Sequence, residues 1–390
     1  MKKIAVLGFG TVGSGVVETI DINAEAITKR TGGITVKYIV DVRDFPDSPY
    51  SSLMTKDFSE VENDPEVSIV VETIGGIGVA YEFTKRSLKA GKSVVTSNKE
   101  LVATYGHELM ALAKENGVSY LFEASVGGGV PLLRPLKTCL NGDVIKEIYG
   151  ILNGTTNYIL TQMFQNGVSF AEALATAQKL GYSEADPTAD VEGHDACRKA
   201  CILTSLVTGS HISQDKVPAK GISGVALEDV EYAAQLGYTI KLLGRCVFEC
   251  GKAYSYVAPH LVNKNELVSG VNGVMNGIVV KGNIVGETMF YGAGAGKMPT
   301  ASAVVADVTA IATDVRAGAC FEWSAPAEEI SGNPAELKNK WFVRVCGEIE
   351  AELVGSLNGV SAYVTGEMSE TELKAVLGAV EVVAAYRMIG

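Results

Sequence analysis

Five carboxylates and one lysine crowd into residues 180–203, and these residue types at this spacing could do acid–base chemistry. The acidic side chains are those of Glu184, Asp186, Asp190, Glu192 and Asp195, and the lysine is Lys199. Glycines and a proline in the first half predict a loop, whereas the apolar spacing from about Asp195 onward predicts a helix. We therefore expect most of the chemistry of this chain to lie in this stretch.

Asp195 and Lys199 stand four residues apart, so the predicted helix places both side chains on one face. On an exposed helix such residues usually form a solvated surface pair. The neighbouring residues are apolar, however, and a buried lysine must be paired and can have its pKa moved toward neutrality. Such a lysine suits a general acid or base, so the sequence leaves both a surface pair and a catalytic pair open.

Composition and charge exclude several classes of protein. The chain has 390 residues, which predicts two or three domains, and its net charge of −12 argues against a nucleic-acid surface. The start of the chain shows no signal-peptide pattern, and no apolar run is long enough to span a bilayer. We expect a cytoplasmic protein without nucleic-acid or membrane partners. Its seven cysteines, an odd number, are expected to be reduced thiols.

The first predicted strand is followed by a glycine pattern that is typical of dinucleotide-binding proteins and is called the glycine fingerprint below. An apolar run at residues 2–7 leads into Gly8, Phe9, Gly10, Thr11, Val12 and Gly13, and a helical stretch continues to about residue 20. The first glycine permits a tight turn, the second lets a pyrophosphate approach the backbone, and the third lets helix and strand pack closely. All six residues of this loop are candidate cofactor contacts. A purely structural glycine turn is the alternative.

The second strand is predicted at about residues 36–40, and two residues that follow it give conflicting signals about the cofactor. Asp41 at the strand end favours the free 2′-hydroxyl of NAD, whereas Arg43 could hold the 2′-phosphate of NADP. The sequence therefore leaves NAD and NADP both open.

Further strands at residues 68–72 and 93–96, with a helix between them, continue the alternation of a doubly wound parallel sheet. A helix near residues 106–116 and a strand near residues 119–124 are predicted to follow. Thr73, Ser97 and Lys99 lie just beyond the carboxyl ends of these strands, where open α/β sheets bind ligands. Lys99 is a candidate for cofactor or substrate contact, and a surface lysine is the alternative. We assign residues 1–130 to a Rossmann-type dinucleotide-binding domain, completed by about residues 300–320.

Two glycine-rich segments could bind ions or phosphates. The first, residues 125–131, follows Glu123 and exposes backbone carbonyls. These carbonyls could coordinate a hard cation together with the Glu123 carboxylate, or the loop could contact a cofactor closely. A hinge between domains is the alternative. The second, residues 292–300, contains Gly296 and precedes a predicted helix over 301–317, so it could close back over the nucleotide. Helix capping alone would also explain it.

From about residue 146 the composition indicates a second domain. Strands are predicted at 147–151, 241–249, 253–260 and 276–281, with a helix over 158–165. They suggest a mixed sheet with helices over one face, which is an α+β arrangement.

Six motifs, in order, resemble those of the homoserine dehydrogenase family. They are GFGTVG at 8–13, TSNKE at 96–100, EASVGGGVP at 123–131, GILNGTTNYIL at 150–160, LGYSEADPTADVEGHDACRKACIL at 180–203 and GAGAGKMPTAS at 292–302. The resemblance implies an enzyme that interconverts L-homoserine and L-aspartate 4-semialdehyde with NAD(P). It also implies a place in the biosynthesis of threonine, methionine and isoleucine.

The resemblance further implies roles for single residues. Lys199 matches the family's proton donor, and Asp195 matches its neighbour in the reaction site. Glu184 matches the carboxylate that grips the substrate amino group, with Asp190 nearby, and Lys99 matches the lysine beside nicotinamide and substrate. A structural sodium ion is implied at Glu123 and the backbone of Val126, Gly128 and Val130.

The resemblance also implies a domain plan. Residues 131–300 form a substrate-binding and dimerisation domain, and residues 338–390 resemble a shortened ACT-type regulatory module. This module is predicted as strand 341–346, helix 350–357, strand 361–366, helix 370–379 and strand 382–388. Its first loop lacks the aspartate–glycine pair of an effector site, so threonine control and a role in dimer contacts both stay open. No kinase-like segment precedes the fingerprint, and we expect a monofunctional enzyme that forms a homodimer or a higher homo-oligomer.

Two other functions compete with this interpretation. A semialdehyde dehydrogenase on the same layout would need a nucleophilic cysteine with a histidine partner, and Cys139 and Cys197 are the candidates. A non-catalytic dinucleotide sensor with a regulatory tail would bind the nucleotide without turnover. A sensor would give the acidic cluster around Lys199 no reason to exist.

Overall fold

Short apolar strands alternate with helices through the first part of the chain and build a parallel sheet. The computed structural model describes residues 1–314 and 317–390. The first elements are β1 (Lys2–Leu7), α1 (Thr11–Ile22), α2 (Ala24–Thr31), β2 (Ile34–Val40), β3 (Met54–Thr55), α3 (Phe58–Asn63), β4 (Val67–Glu72), α4 (Gly78–Lys89), β5 (Ser93–Thr96), α5 (Lys99–Glu115), β6 (Tyr120–Leu121) and α6 (Leu133–Thr138). The strands stand in the order β3-β2-β1-β4-β5-β6 and pair in parallel. This confirms the predicted Rossmann-type sheet.

The central strand β1 is apolar on both faces, as a strand covered on both sides must be. Ile4, Ala5, Val6 and Leu7 have no exposed surface. The strand order reverses at β1, with β2 on one side and β4 on the other. Open α/β sheets bind ligands at such a switch point, and the carboxyl end of β1 leads directly into the glycine fingerprint.

Two predicted elements near this sheet differ from the structure. Helix α5 begins at Lys99 rather than near residue 106, because the Asn98 side chain accepts a hydrogen bond from the Leu101 amide and caps the helix. The strand predicted over 119–124 shortens to β6, and Glu123–Ser125 form a 3-10 turn. The Glu123 amide donates to the Asp307 carboxylate instead of to a neighbouring strand.

The second sheet is mixed and larger than the first. The remaining elements are β7 (Ile145–Ile151), α7 (Gly154–Asn166), α8 (Phe170–Lys179), α9 (Thr188–Val191), α10 (His194–Thr208), α11 (Leu227–Gln235), β8 (Tyr238–Glu249), β9 (Lys252–Asn263), β10 (Met275–Gly282), β11 (Gly286–Ala293), α12 (Lys297–Thr313), β12 (Trp341–Cys346), β13 (Glu352–Leu357), β14 (Val360–Val364), α13 (Glu370–Leu377) and β15 (Glu381–Ile389). Its strands stand in the order β11-β10-β7-β8-β9-β15-β12-β14-β13. The predicted mixed sheet is confirmed, and it includes β11, which the sequence pattern does not predict.

The C-terminal strands continue this large sheet. The prediction of a helix over residues 350–357 is wrong, because β13 occupies this segment and pairs antiparallel with β14. Gly355 weakens any helix here, and the ladder to β14 satisfies the backbone as a strand. β15 lies between β9 and β12, parallel to β9 and antiparallel to β12.

The chain divides into two compact units, each built from three segments. The first contains Met1–Asp143, Cys201–Ser213 and Gly292–Ala327, and the second contains Val144–Ala200, Gln214–Tyr291 and Glu328–Gly390. In the first unit α12 ends at Thr313, short of the predicted residue 317, and residues 315 and 316 lie outside the described residues. Over 1–314 and 317–390, no helix has the length and apolar character that a bilayer crossing requires.

Candidate active site

The second unit buries an acid–lysine pair on helix α10. Asp195 and Lys199 are 5% and 7% exposed, and Lys199 Nζ donates a hydrogen bond to Asp195 Oδ2 at 2.7 Å. Ala196 and Ala200 on the same helix are also buried, as the apolar pattern indicates. Burial makes a lone charge costly, so each of these groups depends on the other. A buried pair, rather than a solvated surface pair, is therefore present.

A backbone carbonyl completes the surroundings of Lys199. Nζ also donates to the carbonyl of Leu152, the residue after β7, at 2.6 Å. An ammonium group has three N–H donors. Within the described residues, two of them are directed to protein acceptors. The third can serve a substrate oxygen while the other two hold the nitrogen in place.

Asn153 joins this pair to a second carboxylate. Its Nδ2 donates to Asp190 Oδ1 at 2.7 Å and to Asp195 Oδ2 at 2.9 Å. Its Oδ1 accepts a hydrogen bond from the Thr156 amide and so caps helix α7. The sequence indicates only that an asparagine opens a helix here, which is an ordinary capping signal. Its contact with both carboxylates comes from the tertiary fold.

The surroundings of Asp190 change its acidity. Burial raises the pKa of Asp190 above its ordinary value, and the neighbouring Asp195 carboxylate raises it further. The hydrogen bond from Asn153 and the charge of Lys199 lower the pKa of Asp190 and partly offset this rise. The balance leaves a carboxyl group that releases its proton at a higher pH than a solvent-exposed aspartate.

The acidic loop before helix α10 contains the half-buried Asp190 and the exposed Glu184. The short helix α9 lies within the predicted loop and carries Asp190. Glu184 is exposed, and its carbonyl accepts hydrogen bonds from Gln178 and Ser183. The structure thus brings Asp190, Asp195 and Lys199 together, whereas the described residues form no hydrogen bond or ion pair with the Glu184 carboxylate.

In the first unit, the glycine fingerprint has the geometry that the sequence predicts. Gly8 has φ +89°, which favours glycine, and a Cβ on Gly13 would lie 1.9 Å from the Gly8 carbonyl oxygen. The first and third glycines are therefore required by the turn and by helix–strand packing. A Cβ on Gly10 would meet only the Arg43 side chain, at 3.9 Å. The open space at Gly10 fits the close approach of a pyrophosphate.

The two candidate ribose contacts bind each other. Asp41 Oδ2 accepts a hydrogen bond from the Phe9 amide at 2.7 Å, and both Asp41 oxygens accept from the Arg43 guanidinium. The Arg43 guanidinium, together with the backbone amides of Arg43 and Phe9, lowers the pKa of Asp41 to about 2. The Asp41 side chain is 6% exposed, whereas that of Arg43 is 59% exposed. The carboxylate therefore orients the fingerprint loop, and the guanidinium faces solvent beside it.

Three more predicted residues lie at the carboxyl ends of strands. Thr73 Oγ1 donates to the carbonyls of Leu7 and Gly8, which fixes the end of β4 against the fingerprint. Ser97 follows β5, and Lys99 is the first residue of α5. Glu72, which no sequence pattern marks, is fully buried and accepts a hydrogen bond from Thr96 Oγ1 at 2.5 Å. This contact ties the ends of β4 and β5 together.

The second glycine-rich segment packs against the first one within the same unit. Gly296 caps α12 with φ +114°, and the next residue, Lys297, pairs with Glu18 of α1 at 2.6 Å. A Cβ on Gly128 would lie 2.3 Å from the Gly294 carbonyl oxygen. The two glycine-rich loops are therefore in direct backbone contact, and contact of Gly296 with a nucleotide stays a prediction.

Glu123 is buried, and its side chain reaches the first residues of helix α6. Its carboxylate accepts hydrogen bonds from the amides of Leu132, Leu133 and Arg134. Asp307 pairs with the Arg134 guanidinium, and burial raises the pKa of Asp307 to about 7. Across residues 1–314 and 317–390, the carbonyls of Val126, Gly128 and Val130 accept no hydrogen bond. Backbone carbonyls are ligands that a hard cation prefers, and binding of a cation at these residues stays a prediction.

The two cysteines that a semialdehyde dehydrogenase could use lie in different surroundings. Cys139 is exposed, with Thr138 Oγ1 as its neighbour at 3.6 Å, and the Cys197 thiol donates to the Val217 carbonyl at 3.3 Å. Among the described residues, no group of three or more His, Cys, Asp or Glu side chains could hold a metal ion.

Comparisons with known proteins agree on one family. A family model described as homoserine dehydrogenase matches residues 131–309, and one described as homoserine dehydrogenase, NAD binding domain, matches residues 8–123. The homoserine dehydrogenase of Bacillus subtilis is 40% identical over 368 residues, covering 92% of this chain and 84% of the relative. That of Pseudomonas aeruginosa is 44% identical over 308 residues, covering 78% and 71%.

Solved structures give the same result. A crystal structure of a homoserine dehydrogenase from Thiobacillus denitrificans superposes with a TM-score of 0.90 at 34% identity, covering 100% of this chain and 98% of that chain. A hyperthermophilic archaeal homoserine dehydrogenase in complex with NADPH gives a TM-score of 0.67 at 30% identity. It covers 79% of this chain, and 97% of the archaeal chain is matched.

Proposed function

Because this chain belongs to the homoserine dehydrogenase family, we propose that the cluster of Lys199, Asp195, Asp190 and Asn153 is where it interconverts L-homoserine and L-aspartate 4-semialdehyde. The chain is an NAD(P)-dependent oxidoreductase. The observation that carries the residue assignment is the buried Lys199 with two fixed acceptors and one remaining N–H. A dinucleotide sensor would have no use for this arrangement.

Lys199 acts as the proton donor in the reducing direction. When bound, a reduced nicotinamide would supply the hydride that the aldehyde carbon accepts, and the oxygen that develops negative charge would then need a proton. The third N–H of Lys199 gives that proton, while Asp195 and the Leu152 carbonyl hold Nζ in place. In the oxidising direction, Lys199 in its neutral form takes the proton from the hydroxyl of homoserine.

The acidic residues bind the substrate amino group. An ammonium group needs ionised carboxylates as acceptors, and Asp190 and Glu184 supply them in this proposal. Asp190 is held by Asn153, and Glu184 is exposed and free to turn toward a ligand. In this proposal Lys99, at the start of α5, contacts the cofactor or the substrate. Thr73 and Ser97, which follow β4 and β5, contact the cofactor.

The cofactor-binding unit favours NADP in our proposal. Both oxygens of Asp41 already accept hydrogen bonds from Phe9 and Arg43, which leaves them poorly placed to accept from a ribose hydroxyl. The exposed Arg43 guanidinium can bind a 2′-phosphate. The fingerprint residues Gly8 to Gly13 and the loop at Gly296 hold the pyrophosphate.

A sodium ion fits the buried loop in the first unit. Glu123 would hold it through Oε2, which accepts only one described hydrogen bond, and the carbonyls of Val126, Gly128 and Val130 would complete the site. Such an ion would stabilise the glycine-rich loop without taking part in the chemistry.

The C-terminal strands are proposed to form an ACT-like module in a homodimer. The order β15-β12-β14-β13 with one helix, α13, supports a small regulatory fold that lacks its first helix. The connection at residues 347–351 is too short for an effector loop with its own helix. We therefore expect the module to serve subunit contacts and threonine to leave the activity unchanged.

One assay tests this function. Initial rates are measured with L-homoserine by following reduced nicotinamide, with NAD and NADP in parallel and with added threonine. Turnover with preference for NADP is the expected result, because the exposed Arg43 guanidinium, although paired with Asp41, is the charged group that can bind a 2′-phosphate. Nucleotide binding without turnover would support the sensor instead.

A further inference from the structure

We propose that Asn153 is a positioning residue that aligns both carboxylates of the site, Asp190 for the substrate and Asp195 for Lys199. The roles of Asp190 and Lys199 rest on the function proposed above. Asn153 touches neither reacting atom in this scheme. It acts through the two aspartates, to which it donates one hydrogen bond each.

The side chain of Asn153 has a fixed orientation. An amide offers two N–H donors and an oxygen with two acceptor positions, and here all four are used. Oδ1 accepts from the amide and the hydroxyl of Thr156, while Nδ2 donates to Asp190 and Asp195. Turning the amide over would place its oxygen against two carboxylates and lose the cap. The helix cap therefore forces the donors toward the acidic pair.

Bridging matters because the buried Asp195 and the half-buried Asp190 accept hydrogen bonds from the same amide nitrogen. Like charges near each other favour protonation of one of them, which would remove a charge that the substrate ammonium needs. The groups that act on Asp190 are Asn153, Asp195, Lys199 and Thr155. Among these, Asn153 is the neutral donor shared by both aspartates. It lets both stay ionised without an added charge.

Further hydrogen bonds hold the first turn of α7, the helix that Asn153 caps. Asn157, one turn further along α7, accepts from the buried Lys241 at 3.2 Å and donates to the Val271 carbonyl. Lys241 also donates to Asn272 Oδ1 at 3.1 Å. These contacts hold the first turn of α7 through Asn157. The position of Asn153 is therefore set independently of the aspartates that it holds.

The test compares two variants that keep the helix cap. Serine and aspartate both supply an N-cap acceptor, so Asn153→Ser and Asn153→Asp are expected to fold. Asn153→Ser removes both donors, and Asn153→Asp adds a third carboxylate. The measurement is kcat and KM for L-homoserine as a function of pH at saturating NADP, together with the Kd of NADPH. Ser169→Ala, which removes the cap of α8, is the control.

Asn153→Ser is expected to raise KM for homoserine by about tenfold or more, the scale of a hydrogen bond to a charged group. The acid limb of kcat/KM should move to higher pH, with a larger move in Asn153→Asp and an unchanged Kd for NADPH. Ser169→Ala should lower Tm and leave the pH profile alone. Wild-type KM and pH profile in Asn153→Ser would overturn the proposal.

A wild-type enzyme without homoserine turnover would refute the proposed function, which is a separate result. In that case the pKa of Asp190 is followed by carboxyl 13C NMR. It should rise in Asn153→Ser relative to wild type if the positioning role holds. An unchanged pKa would overturn the role of Asn153.

Discussion

The site consists of one cation with two fixed contacts and two carboxylates bridged by one amide. The i,i+4 spacing of Asp195 and Lys199 could be predicted from the sequence, because a helix alone brings these residues together. The contacts of Asn153 and of the Leu152 carbonyl could not, since they join chain segments that periodicity does not relate. Burial of the pair also depends on packing, and apolar spacing indicates it only in part.

Asp190 should make substrate binding sensitive to pH. Burial and the Asp195 carboxylate raise the pKa of Asp190. When the solution is acidified, Asp190 therefore becomes protonated at a higher pH than an exposed aspartate does. KM for homoserine is therefore expected to rise as pH falls through this raised pKa. Asp190→Asn should raise KM by about tenfold or more at neutral pH and flatten its dependence on pH.

The matched control for that experiment is Asp186→Asn. Asp186 lies in the same loop, is exposed and accepts from the Thr188 amide, which asparagine can also do. Its KM profile should match that of the wild type. The role of Asp190 would be wrong if Asp190→Asn kept the wild-type acid limb.

At the scale of elements, the glycine fingerprint shows which features sequence can predict. Strand, glycine turn and helix are local features, and the structure confirms them at β1 and α1. The β13 strand is the opposite case. Its helical pattern over 350–357 is overridden by pairing with β14, a partner that local spacing does not reveal.

Two glycines of the fingerprint should respond differently to the same substitution. Gly13→Ala puts a Cβ 1.9 Å from the Gly8 oxygen, so α1 must move away from β1 and stability must fall. Gly10→Ala places its Cβ in open space, where the nearest atom lies at 3.9 Å. We expect Gly13→Ala to lower Tm and Gly10→Ala to keep Tm.

Both variants are expected to lose NADPH affinity, Gly10→Ala by direct obstruction and Gly13→Ala through distortion. Thermal melting and fluorescence titration with NADPH separate these effects. Unchanged NADPH affinity in Gly10→Ala would show that the cofactor does not approach the backbone at this residue.

At the scale of the whole molecule, each unit is assembled from three separate segments. Alternating elements predict the fold class of each part, but not which distant segments share a unit. The second unit includes the C-terminal strands, and Asp229 of α11 binds two of them. Asp229 accepts from Arg344 of β12 at 2.7 Å and from Tyr386 of β15 at 2.8 Å, and it is 1% exposed.

Breaking this buried link should destabilise the unit. Asp229→Asn leaves the Arg344 charge without its close partner, and such a change typically costs about 3–5 kcal/mol of unfolding free energy. Chemical denaturation measures the loss. Lys374→Ala, which breaks an exposed pair with Glu370 on α13, should cost well under about 1 kcal/mol. Equal effects of both variants would contradict a structural role for Asp229.

We propose that Lys199 is the proton donor in the interconversion of L-homoserine and L-aspartate 4-semialdehyde. The most direct measurement is kcat with L-homoserine and NADP for the wild type, Lys199→Met and the exposed control Lys179→Met, with NADPH binding measured alongside. Lys199→Met should lose at least about a hundredfold in kcat, the usual scale for a general acid, while NADPH binding and the control stay unchanged. Near-normal kcat in Lys199→Met would contradict this role and remove Lys199 from the mechanism.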